Sequence, residues 1–87
     1  MKPILHIRGS YCPFCRQASA IMQELFVEHP EYREIPMAIL DEVSQRTETE
    51  KYDYNLVPCF FIEGERVFEG VPSKAVIQDV FERALHR

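Results

Sequence analysis

Cys12-Pro13-Phe14-Cys15 is the stretch on which the reading of this 87-residue sequence turns. Two thiols three positions apart, the first set just before a helix, can close into a disulfide and reopen. Pro13 suits the first helical position, because its φ is already helical and its missing N–H would have no partner there. Cys12 then falls at the N-cap, with its sulfur facing the free N–H groups of the first turn. Those donors and the positive end of the helix dipole favour thiolate over thiol. Cys12 is therefore read as the nucleophile. Cys15, one turn in and more buried, is read as the resolving thiol. A metal site and a pair of inert core cysteines are the competing readings. A four-ligand zinc site calls for a second pair of ligands at short spacing. Cys59 is the only other cysteine, and His6, His29 and His86 are scattered singly. C-x-x-C beside a βαβ pattern favours redox chemistry.

The flanks supply that pattern. Residues 3 to 8 read as a strand in which Ile4, Leu5 and Ile7 leave little polar surface, as suits a central strand covered on both faces. Gly9-Ser10-Tyr11 turns the chain into Cys12. A helix is expected from Pro13 to about Glu28, burying Phe14, Ala18, Ile21, Met22 and Leu25. His29-Pro30 ends it, since a residue before proline is pushed out of the α region. Residues 34 to 40 read as a second strand, placed at a sheet edge by the missing donor of Pro36. The crossover is expected to be right-handed.

A polar helix is expected from Asp41 to about Tyr52, with a thin apolar face of Val43 and Tyr52. Cys59-Phe60-Phe61-Ile62 reads as a strand. Glu63-Gly64-Glu65 reads as a hairpin turn and Arg66-Val67-Phe68-Glu69 as the antiparallel return. Gly70 breaks that strand, and Ser73 caps a last helix whose buried stripe is Val76, Ile77, Val80, Phe81, Ala84 and Leu85. The order β-α-β-α-β-β-α is an α/β fold: a four-stranded mixed sheet with helices on both faces. One domain over residues 1–87 is expected.

A net charge of −4 with no basic stripe argues against nucleic acid. No stretch approaches the ~20 apolar residues that span a membrane, and the N-terminus lacks the pattern of a secretory leader. A cytoplasmic monomer is the expectation.

C-P-F-C after the first strand, Val57-Pro58 before the third, and the hairpin with Gly70 leading to the last helix together resemble the thioredoxin/glutaredoxin superfamily, over essentially the whole chain. The resemblance implies the thioredoxin fold. It implies that the Val57–Pro58 bond is cis and lies against the dithiol, and that the Val57 backbone pairs with a substrate chain. It also implies thiol–disulfide exchange: Cys12 attacks a substrate disulfide, and Cys15 then attacks Cys12, releasing reduced substrate. The Cys12–Cys15 disulfide is then the only redox group, with no metal.

Size and C-P-F-C are similar to glutaredoxins. Those that hold glutathione carry Thr-Val-Pro, a Gly-Gly pair after the last strand and an Asp near the start of the last helix. Here Leu56, Glu69-Gly70 and Ser73-Lys74 stand at those places. Gly9 stands where a cation is usual, with Arg8 one residue earlier. Gly70-Val71-Pro72-Ser73-Lys74 is more similar to small thioredoxins of glutaredoxin size. The expectation is a thioredoxin-like protein-disulfide reductase without dedicated glutathione binding. Its partners would be protein disulfides and a thioredoxin-reductase-like or small-thiol electron donor. A glutathione-dependent glutaredoxin is the alternative, followed by an iron–sulfur or zinc module using Cys12 and a thiol from a second chain.

Tyr11, Pro13 and Phe14 flank the cysteines as a contact surface for substrate, with simple packing as the other account of both aromatics. His6 stands where thioredoxins hold a buried acid, which makes it a candidate proton acceptor for Cys15; a strand histidine with a satisfied hydrogen bond is the plainer account. Cys59 is either a third thiol near the site or, more simply, a small buried core residue.

Overall fold

The computed structural model describes residues 1–86. The elements are β1 (Ile4–Arg8), α1 (Pro13–Glu28), a 3-10 turn (Pro30–Glu34), β2 (Met37–Asp41), α2 (Arg46–Thr49), β3 (Cys59–Ile62), β4 (Glu65–Glu69) and α3 (Lys74–His86). The strands form one mixed sheet in the order β2-β1-β3-β4. β1 runs parallel to β2, with Ile4 opposite Met37, and antiparallel to β3, with Ile7 opposite Cys59. The apolar β1 is thus central and β2 is the edge, as the sequence pattern requires.

Side-chain alternation sorts the core into two. Ile4, Phe60 and Ile62 face α1 and α3, and pack with Ala18, Met22, Leu25, Ile77, Val80, Phe81 and Ala84. Ile7, Cys59 and Phe61 form a smaller cluster on the opposite face. There the cover is the α2 region: the Tyr52 ring lies 5.4 Å from that of Phe61, and Tyr54 and Val57 pack on the same cluster. Among the described residues no helix is long and apolar enough to cross a membrane.

Three expectations change. The helix expected over residues 41–52 shrinks to Arg46–Thr49. The Asp41 carboxylate accepts the Val43 and Ser44 N–H groups at 2.8 and 3.2 Å, a local turn that competes with helix. Val43, 62% exposed, supplies no packing face. The second strand starts later, at Met37, because residues 30–34 wind as a 3-10 turn that buries Tyr32. Ile35 joins the main core instead of the strand, and Pro36 accepts the Ile4 N–H through its carbonyl at 2.9 Å. In α1 the buried row is Cys15, Ala18, Met22 and Leu25. Phe14, one step of about 100° away on the helix, is 42% exposed.

Two local signals hold as read. Glu63 and Gly64 turn the hairpin with φ of 50° and 82°, the positive values that a two-residue turn of the right twist demands. Ser73 caps α3, its hydroxyl oxygen accepting the Val76 N–H at 3.2 Å.

Candidate functional site

The site forms where β1 ends and α1 begins. Cys12 has extended backbone (φ −91°, ψ 121°), and Pro13 follows as the first helical residue. The Cys12 N–H donates to the Gly9 carbonyl at 3.0 Å, and the Cys12 carbonyl accepts from Cys15 and Arg16 at 3.1 and 3.2 Å. The N-cap position is therefore as read, but the expected side-chain contact is not made. The Cys12 thiol forms no cap hydrogen bond. It lies instead 3.8 Å from the Val57 carbonyl oxygen. The Val57–Pro58 peptide is cis, so the loop expected beside the dithiol is there.

The two thiols differ in access. Cys12 is 8% exposed and Cys15 is fully buried; both are free. Cys15 Sγ accepts the Gly9 N–H at 3.3 Å. Burial pushes the Cys15 thiol up to about 11, against the pull of that N–H and with a further push from the Cys12 thiol beside it. A thiol held protonated at neutral pH is a poor first nucleophile. Tyr11, Pro13 and Phe14 stand exposed around Cys12.

His6 is fully buried under the helices and stacks on Phe60 with 4.4 Å between ring centres. Its Nδ1 lies 3.2 Å from the Cys59 carbonyl oxygen. A carbonyl can only accept, so Nδ1 carries the proton and Nε2 the lone pair. Nε2 is buried with no hydrogen-bond partner among the described residues, and so bonds to neither Cys12 nor Cys15. Burial pulls the imidazole down to about 4, opposed by the bond to Cys59 and assisted by the charge of Arg8. Cys59 is fully buried, and burial pushes its thiol up to about 12, which makes it a protonated core residue.

Two residues at the site make contacts that the sequence reading did not assign them. Gly9 supplies the donor to Cys15, and Glu42 accepts the Tyr11 hydroxyl at 3.0 Å. A glycine in the turn that leads into C-P-F-C, three residues before Cys12, was a signal for the first. Nothing local pointed to the second, 31 residues away from its partner. Among the described residues no group of three or more His, Cys, Asp or Glu side chains is placed to hold a metal ion. A cavity of about 430 Å³, lined by Pro3, Leu5, Pro36, Tyr52 and Phe61 among others, includes none of the residues around the dithiol.

The glutaredoxin family model matches residues 1–67. Glutaredoxin-1 of Rhizophagus irregularis is 35% identical over 65 residues, which are 75% of this chain and 63% of that protein. The match thus spans less than two thirds of the relative's length. Among solved structures, Fasciola hepatica thioredoxin superposes with a TM-score of 0.70 at 21% identity, over 95% of this chain and 80% of that one. Plasmodium falciparum thioredoxin gives 0.73 at 17% identity, over 94% and 80%. Thioredoxin 2 of Pseudomonas aeruginosa in its reduced form gives 0.71 at 20% identity, over 97% and 79%. At these identities the likeness is one of fold, and the fold is that of thioredoxin.

Proposed function

The chain belongs to the glutaredoxin family, and from that premise we propose that it is a thiol–disulfide oxidoreductase that reduces protein disulfides through Cys12 and Cys15. One observation carries the reading: the Cys12 thiol, 8% exposed, lies 3.8 Å from the Val57 carbonyl, with Cys15 fully buried one turn further into the helix. Cys12 attacks one sulfur of a substrate disulfide. A Cys12–substrate disulfide forms, and the second substrate sulfur leaves as a thiol. Cys15 then attacks Cys12 Sγ, the Cys12–substrate bond breaks, and the substrate sulfur first attacked departs as a thiol with the proton that Cys15 gives up. Two electrons pass from the dithiol to the substrate. A reductase or small thiol must reopen the Cys12–Cys15 bond. Tyr11, Pro13 and Phe14 rim the docking surface, and the Val57 backbone beside Pro58 pairs with the substrate chain.

His6 is read as a packing residue. With the Cys15 thiol up at about 11 and the imidazole down at about 4, a proton passing between them runs far uphill. The lack of a hydrogen-bond partner for Nε2 among the described residues supports the same reading.

Glutathione is the second reading, favoured by the relative named glutaredoxin-1. Against it, a ligand with two carboxylates needs fixed polar partners. Beside Gly70 this chain instead sets the carboxylate of Glu69, which accepts the Asn55 N–H at 3.2 Å and pairs with Arg66 at 3.2 Å. Insulin reduction with dithiothreitol as donor tests the oxidoreductase, and NMR titration of the oxidised protein tests glutathione. The expected result is insulin precipitation, with no saturable shifts at Val57, Gly70 or Ser73. Shifts that saturate below about a millimolar, roughly 4 kcal/mol of binding, would replace the protein-disulfide reading with the glutathione-dependent one.

A further inference from the structure

Tyr11 is 61% exposed, yet it is held at both ends. Its hydroxyl donates to Glu42 Oε1 at 3.0 Å. Its ring lies so close against Gly9 that a Cβ there would sit 2.6 Å from Cε1 and 2.9 Å from Cζ. Glu42 is tied to the same turn, its N–H donating to the Arg8 carbonyl at 2.8 Å. Gly9, under the ring, is the residue whose N–H reaches Cys15 Sγ at 3.3 Å. The absent side chain of Gly9 is what permits this approach.

We infer that Tyr11 and Glu42 form a strap across Gly9 that holds the Gly9 N–H on Cys15 and so sets the rate of the resolving step. The inference rests on the dithiol mechanism proposed above. As Cys15 attacks, its S–H bond breaks, the Cys15–Cys12 bond forms, and the Cys12–substrate bond breaks with its electrons leaving on the substrate sulfur. Negative charge passes through Cys15 Sγ, and a hydrogen bond to a charged acceptor is stronger than one to a neutral acceptor. The strap fixes the donor before that charge develops and keeps water off the same peptide. Tyr11 and Glu42 are positioning residues here, acting through Gly9.

Ellman's reagent separates the two steps. Attack by Cys12 releases one coloured thiolate, and closure by Cys15 releases the second. The second phase is intramolecular, so it does not depend on how well the reagent docks. Gly9→Ala should fold, because the exposed Tyr11 ring can swing away and Gly9 does not need a left-handed backbone. Glu42→Ala frees the ring without touching the core. Each should slow the second phase about fivefold, the size of one net hydrogen bond. Glu42→Gln keeps an acceptor and should restore a near-native second phase. In a Tyr11→Ala background, Gly9→Ala should add little, because the two act as one unit. An unchanged second phase in Gly9→Ala and Glu42→Ala overturns the strap while leaving the dithiol reading intact. So does equal slowing by Gly9→Ala with and without Tyr11. A wild-type protein with no second phase defeats the dithiol reading itself.

Discussion

At the scale of single residues, burial separates two chemically identical thiols, Cys12 at 8% exposure and Cys15 at 0%. Burial pushes Cys15 up to about 11, which in the dithiol mechanism proposed above leaves the first attack to Cys12. Cys15→Ser should therefore trap mixed disulfides on Cys12, seen as covalent adducts on non-reducing gels, and should abolish most insulin reduction. Full activity in that variant would mean that a one-thiol route dominates. Burial also makes His6 a source of acid sensitivity. Its folded value of about 4 lies below the ordinary 6.5, so the unfolded chain takes up the proton first. Stability from this group is full above about pH 6.5 and is lost as pH falls through about 4, a contribution of roughly 3 kcal/mol. Thermal melts between these limits should show a smaller pH-dependent loss in His6→Phe than in the wild type. Parallel curves for the two would remove His6 from the account.

At the scale of elements, the helices differ in what holds their ends. α1 begins at Pro13 and ends at His29-Pro30, and its Cys12 cap makes no side-chain hydrogen bond to the first turn. α3 begins with a side-chain cap: Ser73 takes the Val76 N–H. Lys74 then reaches across to Glu24 and Glu28 of α1 at 2.9 and 2.7 Å. Those pairs are solvent-facing and weak. The cap matters more, and Ser73→Ala should destabilise the protein by about 1 kcal/mol. The check is a lower urea midpoint at unchanged slope. No change in the midpoint would mean that the helix end is held by packing alone.

At the scale of the molecule, one cluster joins the parts. Phe81 is fully buried, with its ring centre 5.5 Å from that of Phe26 in α1 and 5.1 Å from that of Tyr32 in the 3-10 turn. Removing it leaves a cavity where three segments meet, which costs about 3–5 kcal/mol. Small domains hold only about 5–15 kcal/mol in total. Phe81→Ala should thus lose a large part of the folding stability, read as a strongly lowered melting temperature. It should melt as a single transition; a variant that retains the wild-type melting temperature would show that the helical layer is not one cooperative unit.

The sequence by itself determined the features that act within a turn or two. The bounds of α1 were legible from Pro13 and His29-Pro30, because proline sterics are local. The hairpin was legible from Glu63-Gly64, the α3 cap from Ser73, and the candidate dithiol from its own spacing. The edge position of β2 came out as expected but not for the reason read from Pro36, which lies outside a strand that starts at Met37. Only tertiary structure decided the rest. Whether residues 41–52 made a helix depended on what a thin apolar face could pack against, and the Asp41 turn prevailed. The approach of Cys12 to Val57 was legible only through family resemblance, not from spacing, since it spans 45 positions. The links from His6 to Cys59 and from Tyr11 to Glu42 span 53 and 31 positions. They exist because the sheet register sets Ile7 opposite Cys59 and Arg8 opposite Asp41. Register belongs to the whole sheet and is settled by which faces are buried together, so no local pattern carries it.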